Sequence, residues 1–154
     1  MNIRKYVLEL NDVKTPAMEL EEEYECNVTE VNSPAVIAEM LETCFRLRHK
    51  AEEYFVLICV NRKLHPVAVF EVAHGGDSHC QISPKELFTR ALLCGTNGII
   101  VAHNHPSGYS SPSQCDINTC KRIKSAAELI GIHLIDFVIV GRDTYSFKER
   151  EDLI

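Results

Sequence analysis

From Ser33 to Phe147 the chain switches repeatedly between a helical and a strand-like spacing of its apolar residues. Ser33-Pro34 places an N-cap hydroxyl before a proline at the first helical position. Val36, Ile37, Met40, Leu41, Cys44 and Phe45 then form one apolar face. Arg46, Arg48, His49 and Lys50 follow, a positive cluster suited to a helix C-terminus rather than to nucleic acid. Glu53 to Asn61 is apolar at nearly every position and rich in β-branched and aromatic residues, which predicts a central strand buried on both faces. Pro66 to Val72 predicts its antiparallel hairpin partner. Ser83-Pro84-Lys85-Glu86 has a capping-box arrangement and starts a second helix that Gly95 ends. Gly98 to Asn104 is a buried strand, Ser113 to Ile130 a third helix closed by Gly131, and Ile132 to Val140 a further strand. The turn Gly141-Arg142-Asp143 leads into a short last strand, Thr144 to Phe147. This order predicts an α/β fold, a mixed sheet flanked by helices.

The stretch before Val31 carries a weaker pattern. Ile3 to Leu10 has the composition of a strand but alternates poorly, and Glu19, Glu21, Glu22, Glu23 and Glu25 give the look of a solvated acidic arm. The expected organisation is therefore an N-terminal extension over residues 1–30 and one domain over 31–154.

Composition narrows the class. With 154 residues, 45% hydrophobic and 25% charged, the chain fits one globular domain with a sizeable core. A net charge of −6 argues against non-specific binding to a polyanion. No apolar run is long enough to span a membrane, and the first residues lack the apolar core of a secretory signal. The seven cysteines, with no C-x-x-C pair, suit reduced thiols and a cytoplasmic location better than a disulfide framework or a Cys₄ zinc site.

The candidate chemistry lies where the Gly98–Asn104 strand ends. His103 and His105 are two apart, so their side chains leave a strand on the same face, with Asn104 opposite. Pro106-Ser107-Gly108 breaks the strand, and Asp116 stands three residues after Ser113, as in the first turn of a capped helix. Two imidazoles and a carboxylate meeting across a turn make a divalent-metal site with one position open. His49, His65, His74, His79 and His133 have no such arrangement. The loop His74-Gly75-Gly76-Asp77 lacks the Lys-Ser/Thr of a phosphate-binding loop.

The run His103-Asn104-His105-Pro106-Ser107-Gly108, with Pro112-Ser113-x-x-Asp116, resembles the RadC family within the JAB/MPN (JAMM) metallopeptidase superfamily. The superfamily pattern is a distant Glu, then H-x-H, seven residues, Ser, two residues and Asp. The resemblance extends from Val31 to the C-terminus through Glu53, Gly75, Pro84-x-Glu86, Leu129-x-Gly131-Ile132, Asp136 and Tyr145-Ser146-Phe147. It implies a JAB/MPN, cytidine-deaminase-like sheet and a zinc-dependent hydrolase of peptide or isopeptide bonds. In that reading His103, His105 and Asp116 hold Zn²⁺, Glu53 is the general base and acid, and Ser113 steadies an oxyanion. Glu53 is preferred to the adjacent Glu52 because it directly precedes the aromatic-apolar strand. The family's Asp-His pair is Asp136-Phe137 here, which removes an imidazole from the outer shell. The segment before Val31 is too short and acidic for the helix-hairpin-helix module that many RadC relatives carry.

A peptide or protein substrate is therefore expected. The alternatives are a nucleic-acid-processing or DNA repair-associated protein, disfavoured by the charge, and a silent scaffold, disfavoured by the intact ligand set.

Overall fold

The computed structural model describes residues 2–75 and 82–153. Seven strands form one mixed sheet in the order β2-β1-β4-β3-β5-β6-β7. They are β1 (Asn2–Leu10), β2 (Pro16–Glu25), β3 (Tyr54–Val60), β4 (Pro66–His74), β5 (Gly98–Asn104), β6 (His133–Val140) and β7 (Thr144–Ser146). Three helices cover it: α1 (Pro34–Phe45), α2 (Pro84–Leu93) and α3 (Gln114–Ile130). The mixed α/β architecture is the one expected for a JAB/MPN fold.

Alternation along the central strands builds two cores. Phe55, Leu57 and Cys59 of β3, with Ile99 and Val101 of β5, pack under α2 and α3. Val56, Ile58 and Val60, with Ile100 and Ala102, pack under α1. Because β3 is buried on both faces, its run is continuously apolar rather than alternating. His103 follows Val101 by two residues and so lies on the α2/α3 side. β3 pairs antiparallel with β5 in a register that sets Phe55 opposite His103, and β5 runs parallel to β6.

Local signals explain most boundaries. Ser33 accepts the Val36 N–H before Pro34, and Gly131 stops α3 at φ 83°. The basic cluster, however, does not form the last turn of α1. That helix ends at Phe45 because Arg46 turns left-handed (φ 50°), and Leu47–His49 make a separate 3₁₀ turn. Arg48 Nε instead donates to the Gly141 carbonyl at 3.1 Å, and His49 meets Glu42. Ser83 makes no side-chain cap to α2, so its capping box does not close. Ile130, the last residue of α3, is 40% exposed.

The main correction concerns the N-terminus. Residues 2–25 are a β-hairpin, not a solvated arm, and β1 lies parallel to β4 at the sheet's side. Ile3, 1% exposed, anchors the hairpin in the α1-side core. Its outer glutamates have partners, Arg4 with Glu23 and Lys5 with Glu21.

The six described cysteines are free thiols. Gly76, Asp77, His79 and Cys80 lie outside the described residues, so the glycine-rich loop is seen only to Gly75. No described helix is long and apolar enough to cross a membrane.

Candidate metal centre

Strand β5 carries His103 into the interior, and the chain turns immediately after it. His105 N–H donates to the Val140 carbonyl and Gly108 N–H to the His105 carbonyl, so the turn keeps His105 beside His103. Ser113 then caps α3 with a reciprocal bond: its hydroxyl accepts the Asp116 N–H, while the Asp116 carboxylate accepts the Ser113 N–H at 2.6 Å. That cap turns Asp116 back toward the strand end instead of outward.

The three side chains converge. The Nε2 atoms of His103 and His105 are 3.0 Å apart. Asp116 Oδ1 is 3.0 Å from His103 Nε2, and Oδ2 is 3.4 Å from His105 Nε2. One ligand atom from each residue lies within 4.8 Å of the others, an arrangement that could hold a metal ion. The side chains of His103 and Asp116 are fully buried, and that of His105 is 13% exposed, which leaves an approach on one side.

Two details favour a cation at this point. His105 Nδ1 lies 2.7 Å from the Tyr109 carbonyl, which can only accept, so Nδ1 carries the proton and the Nε2 lone pair faces inward. Among the described residues Asp116 Oδ1 is buried and accepts no hydrogen bond, its one close polar neighbour being His103 Nε2. A buried carboxylate oxygen without a donor is costly unless a cation meets it.

The electrostatics agree. Burial pushes the Asp116 carboxyl up, but His103, His105 and the Ser113 hydroxyl outweigh it and hold the group well below the usual carboxylate range. His105 is raised from its ordinary value, chiefly by its bond to Asp116, against the opposing effect of burial; the Glu53 charge adds to the rise.

The chain's own match to known proteins is consistent with this geometry. A model of the RadC-like JAB domain matches residues 31–152. The chain belongs to the RadC-like JAB domain family. This RadC-like chain is 38% identical over 109 residues to a UPF0758 protein of Carboxydothermus hydrogenoformans, covering 71% of the chain and 48% of that relative. It is 39% identical over 108 residues to a UPF0758 protein of Clostridium tetani, covering 70% and 47%. A Desulfitobacterium hafniense UPF0758 protein is 33% identical over 121 residues, covering 78% and 52%. The chain thus spans about half the length of the curated relatives it matches.

In the RadC-like domain Glu53 sits just ahead of β3, half-buried, two residues before Phe55, whose ring stacks on His103 at 4.6 Å. Glu52 is exposed. Its carboxylate lies toward Gly75, where an added Cβ would stand 3.5 Å from Oε2. Ser113 is exposed, and its hydroxyl donates to Asp116 Oδ2 at 2.7 Å, so its proton first serves the carboxylate. His49, His65, His74 and His133 lie outside the cluster; His74 stacks on Tyr54 and pairs with Glu71.

Three contributors were not legible as such from sequence. The Tyr109 carbonyl fixes His105, yet a backbone acceptor leaves no mark on residue type. Phe137 presents its ring edge-on to His103 at 5.5 Å, and His103 Nδ1 is buried without a hydrogen-bond partner among the described residues. The substitution of phenylalanine in the family's Asp-His pair was the available signal. Asn104 is the third; its side chain reaches the backbone of residues 52 and 54.

Proposed function

We propose that this RadC-like domain is a zinc-dependent hydrolase of peptide or isopeptide bonds. The observation that carries the reading is the buried meeting of His103, His105 and Asp116, with one carboxylate oxygen accepting no hydrogen bond among the described residues and one side open. Three protein ligands from imidazole and carboxylate suit a catalytic rather than a structural zinc.

His103 and His105 would present Nε2 and Asp116 a carboxylate oxygen to the ion. Bound there, zinc supplies Lewis acidity, drawing the pKa of a coordinated water toward about 7 and polarising a carbonyl. The remaining work falls to the protein. The Tyr109 carbonyl keeps the His105 proton on Nδ1 and so leaves the Nε2 lone pair for the ion. Ser113 and the first turn of α3 hold Asp116 charged. Glu53, whose charge is felt at His105, accepts a proton from the attacking water and returns it to the leaving amine. Ser113 donates to the developing oxyanion, which requires its hydroxyl to exchange its bond to Asp116. The net charge of −6 does not support a nucleic-acid substrate.

The decisive experiment has two parts. Purified protein should carry stoichiometric zinc by elemental analysis and lose it in Asp116→Ala. A screen of peptide and isopeptide substrates should then show turnover by wild type and none by zinc-loaded Glu53→Gln. Full zinc retention and activity in Asp116→Ala would refute the ligand assignment.

A further inference from the structure

The pairing of β3 with β5 ends at Phe55 opposite His103. One step further, a side chain takes over from the backbone ladder. Asn104 Oδ1 accepts the Tyr54 N–H at 2.7 Å, and Asn104 Nδ2 donates to the Glu52 carbonyl at 2.9 Å. The two groups it grips lie on either side of Glu53. From the opposite strand, Gly75 N–H donates to the Glu53 carbonyl at 3.0 Å. The main chain at Glu53 is therefore held from β5 and from the end of β4 together.

We propose that Asn104 is the positioning residue for Glu53, tying the catalytic acid to the same strand tip that carries both metal-binding histidines. This rests on the reading of Glu53 as the proton-transfer group. Its chemistry follows from the partners: one is a donor and the other an acceptor, so the amide can point only one way and both its ends are used. Aspartate would lose the donor and leucine both groups. Asn104 is 1% exposed, so its polar atoms have no water to fall back on and must be met by these backbone groups. A residue needed only to fill space there would serve better apolar.

The arrangement also accounts for the middle letter of His-Asn-His. Side chains on adjacent strand residues leave on opposite faces, so 103 and 105 aim at the metal while 104 is free to reach across to the neighbouring strand. Asn104 is joined through the main chain to both histidines, so its two bonds tie the backbone around Glu53 to the residues that carry them. Ligands and base thus keep one fixed geometry, the requirement for productive proton transfer.

The test needs no substrate. Wild type, Asn104→Ala, Glu53→Gln and the double variant are loaded with Co²⁺, and the pH midpoint of the visible cobalt bands is measured for each. Zinc affinity is measured in parallel by competition with a chromophoric chelator. Asn104→Ala should keep wild-type zinc affinity, shift the midpoint in the same direction and to a similar extent as Glu53→Gln, and add nothing in the double variant. A midpoint at the wild-type value in Asn104→Ala while Glu53→Gln moves, or additive shifts in the double variant, overturns the proposal. So does a loss of zinc affinity of about 10–100-fold, the signature of a group that supports the ligands themselves. If Glu53→Gln leaves the midpoint unmoved, the role of Glu53 falls and that of Asn104 with it. Should Asn104→Ala not fold, Asn104→Ser, polar but too short to span both backbone groups, is scored in the same way.

Discussion

Replacing Gly141 by alanine puts a methyl group where the chain has no room. A Cβ built there lies 2.5 Å from the Gly108 oxygen, 2.9 Å from its carbonyl carbon and 3.0 Å from Ser110 N. Ordinary carbon contacts lie at about 3.5–4.0 Å, so the neighbour must retreat by about 1 Å. All three atoms are backbone, and no rotamer change relieves them. The retreating segment is the one whose Tyr109 carbonyl accepts the His105 Nδ1 proton. It is also bound to the turn itself, through Arg142 N–H to the Gly108 carbonyl at 2.8 Å. Overpacking of this kind costs about 1–3 kcal/mol. At about 2–4 °C per kcal/mol for a chain of this size, thermal unfolding should register it. Loss of the bond that orients His105 should also weaken zinc by about 10–100-fold. Gly131→Ala is the control: it has φ 83° with nothing within 4 Å of the added Cβ among the described residues, so it should cost about 1–2 kcal/mol and leave zinc affinity alone. The assay is chemical denaturation with chelator competition on both variants. Destabilised Gly141→Ala with wild-type zinc affinity would show that the loop absorbs the collision without disturbing His105. An unaffected protein would refute the steric reasoning altogether.

Other expectations follow from the same geometry. Ser113→Ala removes the side-chain half of the α3 cap and should cost about 0.5–2 kcal/mol in urea unfolding, with weaker zinc binding because Asp116 loses a partner. Phe137→His should raise zinc affinity by giving the buried His103 Nδ1 an acceptor, while lowering stability through lost aromatic packing against Phe147; titration and melting measured together separate the two effects. The pH dependence has a definite sign. In metal-free protein His105 is raised, so its contribution to stability is complete below its ordinary value of 6.5 and is lost as pH rises through the folded value. Asp116 is lowered, so its contribution is present above the ordinary carboxyl range and is lost progressively as pH falls below that range toward the folded value. Melting of metal-free protein should therefore weaken toward alkaline pH. Zinc-loaded protein, in which His105 Nε2 has no proton to lose, should not follow that decline, and zinc affinity should fall as pH drops.

Much of the core was readable because its residues report their own surroundings. The unbroken apolar run of β3 requires burial on both faces, and the two-residue spacing of His103 and His105 requires a shared face. Asp116 was placed by the geometry of a capped first turn. What escaped depends on pairings that local pattern does not encode. β1 and β2 are half-exposed on both faces, so neither shows clean alternation, and β1 joins β4 through a single registered pair, Lys5 with Val69. Arg46 ends α1 in a left-handed turn without the glycine that usually marks one. The grip of Asn104 exists only because β3 and β5 align Phe55 with His103, a register set by the whole sheet.

The N-terminal hairpin has a consequence for how molecules meet. A rim strand leaves amides and carbonyls unpaired and invites another chain to continue the ladder. At one rim β2 bears Glu19, Glu21, Glu22, Glu23 and Glu25, of which Glu21 and Glu23 pair with Lys5 and Arg4, so an identical neighbour still meets surplus negative charge over the second half of the strand. At the other, β7 spans only Thr144–Ser146 and offers little to extend. Side-by-side stacking of copies into a growing ribbon is thus discouraged at both ends of the sheet.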